Sequence, residues 1–125
     1  MLPLRYPRVW WAIGLLLVGG VVLGSLLPSS VIRAVTLSDK IMHAGAYCLL
    51  MLWFSGLYRR SRHWVVALSL AALGFTLDVA QTATVSRSFE FGDVSANVGG
   101  ILVGLALGHF VLEGWCQRLE QRFFA

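Results

Sequence analysis

The sequence predicts an all-α fold: a four-helix transmembrane bundle with both termini cytoplasmic and a short C-terminal interfacial helix. Composition is the first indication, because 58% of the 125 residues are hydrophobic and only 13% are charged. Soluble domains contain about 25% charged residues. The second indication is a series of apolar runs long enough to cross a bilayer, and the third is the short arginine clusters beside them.

The four predicted spans occupy most of a single domain, residues 1–125, at about 9–27, 39–58, 63–82 and 93–113. The first span follows Arg5 and Arg8 and resembles a signal peptide. Its apolar run is too long for a signal core and no small-residue cleavage pattern follows, so an uncleaved signal anchor is expected. Pro28 ends this span, and the next residues, 29–37, are mildly amphipathic.

The later spans are bounded by polar segments. Ser38 is placed to cap the second span, residues 59–62 form a basic turn, and a polar loop at 83–92 precedes the fourth span. The tail, residues 114–125, has Arg and Glu on one side and Trp115, Leu119 and Phe123 on the other. This pattern predicts a helix that lies along the membrane surface.

The distribution of Lys and Arg predicts the orientation. Three segments share one side of the bundle and carry Arg5, Arg8, Arg59, Arg60, Arg62, Arg118 and Arg122. The loops on the other side carry Arg33, Lys40 and Arg87. By the positive-inside rule both termini face the cytoplasm. The net charge of +4 is then explained by topology and by contacts with anionic membrane lipids, so no nucleic acid partner is expected.

Two cysteines do not predict a covalent framework. Cys48 falls inside a span and Cys116 lies beyond another span near the opposite face. Neither a disulfide nor a cysteine-rich metal site is expected, and both residues are interpreted as small buried groups. No cofactor and no metal is predicted.

Asp78 lies well past the middle of the third apolar run. A carboxylate at the centre of a spanning helix costs about 2.5–3.5 kcal/mol, and less toward the ends. The second half of a helix also disfavours negative charge because of the helix dipole. Asp78 is therefore expected to have stabilising partners, and Gln81, three residues on, shares its face.

Polar stripes on two other spans supply candidate partners. The second span carries a stripe within an arc of about 100°, formed by Asp39, Lys40, His43 and Tyr47. The fourth carries a narrow stripe, formed by Asp93, Asn97, Gly100, Gly104 and Gly108. Its glycines predict close packing against another helix. Because successive spans alternate in direction, the polar stripes meet at the outer face, in a pocket closed by the loop that carries Arg87.

Each of these residues also has a simpler structural interpretation. Asp39 complements the helix dipole, Lys40 extends to the interface and Tyr47 packs as an aromatic ring. Asp93 caps its helix. The number of charged groups on shared faces favours a functional site over packing alone. Proton-coupled transport is a minor alternative, because the inner half of the bundle has little polarity; His109 is the lone candidate there and is interpreted as a packed residue.

Four sequence blocks resemble the VanZ-like family, in order, over residues 39–104. The family pattern is D-K-x-x-H-x-x-x-Y, then E-x-x-Q, then R-x-x-x-x-x-D-x-x-x-N-x-x-G. The matching residues are Asp39, Lys40, His43, Tyr47, Asp78, Gln81, Arg87, Asp93, Asn97 and Gly100. One departure is Asp78, which stands where the family has a glutamate. The resemblance implies a small polytopic protein of the bacterial cytoplasmic membrane, associated with resistance to the glycopeptide teicoplanin and without a settled activity.

Three functional hypotheses remain open from the sequence. In the first, the pocket binds head groups of envelope lipids or lipid-linked cell-wall precursors through Lys40, Arg87 and Asn97. In the second, His43 with an aspartate acts as an acid/base pair of an intramembrane enzyme, although no convincing nucleophile is adjacent. In the third, the polar residues only hold helices together in an accessory subunit. A homo-oligomer is a further possibility, because the glycine stripe and the pair Gly20 and Gly24 could contact a second copy.

Overall fold

A computed structural model describes residues 2–26, 39–84 and 91–123, without the side chains of residues 25–26, 39–40, 81–84, 91 and 93. The described chain is all helical, which confirms that part of the predicted fold class. Its helices are α1 (Pro7–Leu26), α2 (Asp39–Ser55), α3 (His63–Thr84), α4 (Phe91–Ala106) and α5 (Trp115–Phe123). A 3₁₀ turn (Arg60–Arg62) leads into α3, and a π-helical turn (Leu107–Val111) extends α4.

Among the described residues, three helical segments are long and apolar enough to cross a membrane, Pro7–Gly24, Arg60–Ala80 and Val94–Val111. The second predicted span is shorter than expected, because α2 has 17 residues and ends at Ser55 rather than near residue 58. The chain leaves the helix at Gly56, which lies against α5: a Cβ atom there would lie 2.7 Å from Cys116 Sγ. The predicted segment at 29–37 and the cap at Ser38 lie outside the described residues.

The helix α2 is the centre of the fold. Its side chains supply much of the buried core, including Tyr47, Leu50 and Met51. Its most extensive neighbour is α4, which packs through the glycine stripe. Cβ atoms added along the stripe would collide with Ala44 O at Gly100, lie 2.7 Å from Cys48 O at Gly104, and collide with Ser55 Oγ at Gly108. The glycines therefore let the two helix backbones come into contact.

The first helix makes a different close contact from the one that its sequence suggests. Gly20 and Gly24 have open space where a Cβ atom would lie. Gly14 instead packs on α2, and a Cβ atom there would lie 2.9 Å from Cζ of Phe54. The pair Gly20 and Gly24 is thus not used within the described part of the chain.

Several polar side chains are buried beside the apolar core, and many large apolar side chains are exposed. Asp78 is 4% exposed and Asn97 is 2% exposed. Leu16, Leu68 and Phe110 are each more than 60% exposed. Contiguous exposed apolar surface is rare on soluble monomers and is the expected exterior in hydrocarbon. Together with the three long apolar helices, the distribution is compatible with a membrane protein.

The C-terminal helix α5 is docked on the bundle through a buried carboxylate. Glu120 is 5% exposed and accepts hydrogen bonds from the backbone amides of Arg5 and Tyr6 and from Trp10 Nε1. Both amides lie just before Pro7, where α1 begins, so Glu120 holds the segment that leads into α1 from a distant part of the chain. The predicted polar face of the tail, with Arg and Glu together on one side, was wrong for Glu120, because this side chain faces the interior.

Three indole rings complete the junction between α1, α2 and α5. The ring centroids of Trp10, Trp53 and Trp115 lie 5.3–5.6 Å apart. Trp53 Nε1 donates to Trp10 O at 3.1 Å, and Trp115 Nε1 donates to Leu52 O at 2.7 Å. Leu52 O, in the last turn of α2, also accepts from the backbone amide of Gly56, so the second bond adds to that one. We call this end of the molecule, where α1 and α3 begin and α2 ends, the lower end. The other end, where α2 and α4 begin and α3 ends, is the upper end.

Candidate functional site

A hydrogen-bonded chain of three side chains joins three helices near the upper end. His43 of α2 lies 2.9 Å, Nδ1 to Oδ1, from Asn97 of α4. Asn97 Nδ2 in turn donates to Asp78 Oδ2 of α3 at 3.3 Å. The three residues come from three of the sequence-predicted stripes. We call them the upper polar chain.

The arrangement of donors fixes the tautomer of His43. An amide oxygen only accepts hydrogen bonds, so the His43 Nδ1 next to Asn97 Oδ1 must carry a proton. Asn97 then directs its Nδ2 protons toward the carboxylate of Asp78. In neutral His43 the second ring nitrogen, Nε2, is the basic one. The buried carboxylate thus orients Asn97, and Asn97 orients His43.

Burial divides the upper polar chain into an inner and an outer part. Asp78 and Asn97 are buried, whereas His43 is half-buried and is the member most accessible from outside. By helix rise, His43 lies about 6 Å from the start of α2, and Asn97 lies about 9 Å from the start of α4. The chain therefore runs from an accessible imidazole down to a buried carboxylate.

Tyr47 and Gly74 complete the packing around the upper polar chain. Tyr47 is 1% exposed. A Cβ atom at Gly74 would lie 3.0 Å from Asn97 Nδ2 and 3.2 Å from the hydroxyl of Tyr47. Gly74 therefore provides the space that both side chains occupy. Gly74 was not predicted from the sequence as a site residue, although its position one helical turn before Asp78 is a signal for it.

The other predicted site residues lie partly or wholly outside the described residues. The backbones of Asp39, Lys40, Gln81 and Asp93 belong to α2, α3 and α4 at the upper end, and their side chains are outside the described part. Arg87 lies outside it entirely. The described groups of the candidate site are therefore the upper polar chain with Tyr47. Among the side chains that the structure describes, no cluster of three or more potential metal ligands occurs.

A second polar cluster, which the sequence analysis missed, lies at the lower end. His63 is 1% exposed, and its Nε2 lies 2.9 Å from Ser55 O and 3.2 Å from Tyr58 O. Its Nδ1 lies 3.0 Å from Nδ1 of His109, in the π-helical turn. His109 is therefore packed, as predicted, but it is not alone at this end. The alternating directions of the spans, applied to His63 and His109, would have brought them together.

The partners of both histidines fix their protons. His63 Nε2 faces carbonyl oxygens, so it donates, and Nδ1 of neutral His63 is an acceptor. His109 Nδ1 must then donate to it. His109 Nε2 accepts from Arg60 Nε at 3.2 Å, and Arg60 also pairs with Glu113 at 3.6 Å. When both rings are neutral, each of these donors faces an acceptor. The hydrogen bonds of the cluster connect the end of α2 to the π-helical turn.

The comparisons with known proteins add no relative. No family model matches the chain, and neither a curated protein nor a solved structure matches it.

Proposed function

We propose that this chain is a VanZ-like multi-pass protein of the bacterial cytoplasmic membrane. It binds head groups of envelope lipids or lipid-linked cell-wall precursors at its outer face. By occupying these lipids it modulates the envelope, which is the proposed link to teicoplanin-type glycopeptide resistance. The observation that carries the proposal is the upper polar chain of His43, Asn97 and Asp78, joined across three helices at one end of the bundle.

The proposed membrane placement counts α2 as a fourth span. Its 17 residues reach the lower limit for a spanning helix, which is about 17 residues. Its buried face lies against the other helices, and Ile41 and Leu49 on its other face are exposed. With the arginine bias, this placement puts the lower end and both termini in the cytoplasm, and the upper end outside.

Anionic head groups are favoured by the charges near the upper end. Lys40 lies three residues before His43 in α2, and Arg87 lies in the connection from α3 to α4. In the proposal these cations hold a phosphate, and His43 donates to it from Nε2 when that nitrogen carries a proton, while Nδ1 stays bonded to Asn97. The buried Asp78 keeps Asn97 and His43 oriented and so preorganises the site.

An intramembrane enzyme is the second candidate function. The observation that favours it is the order carboxylate, amide, imidazole, which leaves a basic Nε2 on neutral His43. Such a nitrogen could act as general base toward water on a lipid-linked substrate. A third candidate, an accessory subunit, predicts no ligand at all.

Binding of polyprenyl pyrophosphate to the protein purified in detergent tests the proposal, with the uncharged polyprenol as the reference lipid. We expect the pyrophosphate to bind more tightly. His43→Gln is expected to weaken that binding about tenfold, as expected for loss of a hydrogen bond to a charged group. The matched control is His109→Gln, the same change at the lower end, which is expected to leave binding unchanged.

The outcomes separate the three candidates. Equal affinity for both lipids, or equal effects of His43→Gln and His109→Gln, contradicts head-group binding at the upper end. Release of inorganic phosphate over time, lost in His43→Gln, favours the enzyme. Absence of binding together with a lowered melting temperature for His43→Gln favours the accessory subunit.

A further inference from the structure

A groove between α1 and α3 lies apart from the upper polar chain. Its volume is about 530 Å³, within the range of about 300–1,000 Å³ of small-molecule sites. Apolar side chains form most of its walls. Trp11, Leu15 and Val18 line it from α1, and Val66 and Leu73 line it from α3.

The groove is polar only toward its lower end and along one wall. Arg62 and Tyr58 line the lower end, and Ser69 lines the wall. The hydroxyl of Ser69 donates to Val65 O in its own helix at 2.8 Å, so it does not need a polar partner on the ligand. The groove therefore offers one charged end and an apolar body, which fits an amphiphile.

The length of the groove matches one leaflet of a bilayer. From Arg62 to Leu73 the helix rise amounts to about 16 Å, and from Trp11 to Val18 to about 10 Å. Half of a bilayer's hydrocarbon core is about 15 Å. With Arg62 at the level of the head groups, the groove extends toward the middle of the membrane.

Charge at the lower end favours a phosphate there. Arg60 is engaged with Glu113 and His109. Within the described ranges, the exposed guanidinium of Arg62 has no carboxylate partner. A guanidinium binds phosphate oxygens in a bidentate manner, and a cluster of arginines at a membrane surface attracts anionic lipid.

We propose that this groove is a binding site for one glycerophospholipid of the cytoplasmic leaflet, with an acyl chain between α1 and α3 and the phosphate on Arg62. The site rests on the membrane embedding that is part of the proposed function, but not on the ligand of the upper polar chain. The bound acyl chain fills the space between α1 and α3, and so stabilises the position of α1 in the bundle.

Native mass spectrometry of the detergent-solubilised protein, after addition of phosphatidylglycerol, tests this site. The wild type is expected to retain one phospholipid. Ser69→Phe fills the groove and is expected to abolish retention. Thr76→Phe is the matched control, because Thr76 is also exposed on α3, also donates to its own helix, and lies outside the groove.

A second pair of variants tests the phosphate contact. Arg62→Gln is expected to weaken retention about tenfold, and Arg59→Gln, a neighbouring exposed arginine that does not line the groove, is expected to leave it unchanged. No retained phospholipid in the wild type overturns the proposal, as do equal effects within either pair.

Failure of this site and failure of the proposed function are distinguishable. A protein that is recovered without detergent contradicts the membrane embedding, and with it both proposals. A protein that needs detergent and binds polyprenyl pyrophosphate, but whose retained phospholipid is insensitive to Ser69→Phe, contradicts the groove alone.

Discussion

Asn97 donates its side-chain amide to the carboxylate of Asp78, Nδ2 to Oδ2 3.3 Å, and both side chains are buried where α3 meets α4. Asn97 cannot rotate to another orientation without breaking its contact with His43 as well. The pair therefore sets the geometry of the upper polar chain. The charge of Asp78 can be removed by a substitution that keeps the size of the side chain.

Asp78→Asn tests whether this charge serves function or stability. The side-chain amide oxygen introduced by the substitution can still accept from Asn97, so we expect the melting temperature in detergent to hold or rise. Binding of polyprenyl pyrophosphate is expected to fall about tenfold, because Asn97 and His43 lose their charged anchor. A fall of many degrees in melting temperature, with binding retained, contradicts this expectation and makes Asp78 a structural anchor.

Gly100→Ala is expected to destabilise the bundle, because the added methyl would collide with the backbone carbonyl of Ala44. Overpacking of this kind costs about 1–3 kcal/mol. The adjacent Gly99→Ala is the control, since a Cβ atom there meets nothing within 4 Å. Thermal unfolding of both variants in the same detergent checks the difference, and equal melting temperatures would show that α2 and α4 are not in backbone contact.

His63→Leu is expected to destabilise the lower end by about 1–3 kcal/mol, because the carbonyls of Ser55 and Tyr58 lose their buried donor. His109→Gln is expected to cost less, because His109 is half-buried and its partner Arg60 reaches solvent. Melting temperatures in detergent compare the two variants. A larger effect at His109 contradicts the assignment of His63 as the buried donor to these two carbonyls.

Glu120 is expected to make the docking of α5 sensitive to acid. Burial alone raises the pKa of a carboxyl, but the amides of Arg5 and Tyr6 and the indole of Trp10 outweigh it and hold the pKa of Glu120 below its ordinary value. A lowered pKa stabilises the folded state at pH values above the ordinary glutamate pKa of about 4.3, and this stabilisation is lost as the pH falls through the lowered value.

Tryptophan fluorescence from pH 7 to pH 3 measures this loss, because Trp10 and Trp115 are part of the junction. Glu120→Gln is expected to lower the melting temperature at pH 7 and to remove the acid transition. Burial, with the nearby Glu120 carboxylate, raises the pKa of Cys116 to about 12. Its thiol is therefore expected to resist alkylation at pH 7 in the wild type, and to react in Glu120→Gln only where the substitution releases α5 and ends the burial of Cys116. An unchanged acid transition in that variant contradicts the assignment.

Reporter fusions at Arg60 and at Ala125 test the orientation. The arginine bias predicts that both positions are cytoplasmic. Alkaline phosphatase, which is active only outside, should be inactive at both sites, and green fluorescent protein should be fluorescent at both. Phosphatase activity at either site contradicts an arrangement with four spans and both termini inside.

The sequence by itself determined the helical class and the need of Asp78 for partners, because composition, periodicity and the cost of a charge in hydrocarbon are local properties. It predicted four spans, and within the described residues three helices are long and apolar enough to cross a membrane. It also placed His43, Asn97 and Asp78 at one end through the alternation of helix directions. Only the tertiary structure decided that Asn97 stands between His43 and Asp78, that Glu120 turns inward, and that His63 meets His109. These contacts depend on how one helix is rotated and shifted against another, which the periodicity of each helix alone does not specify.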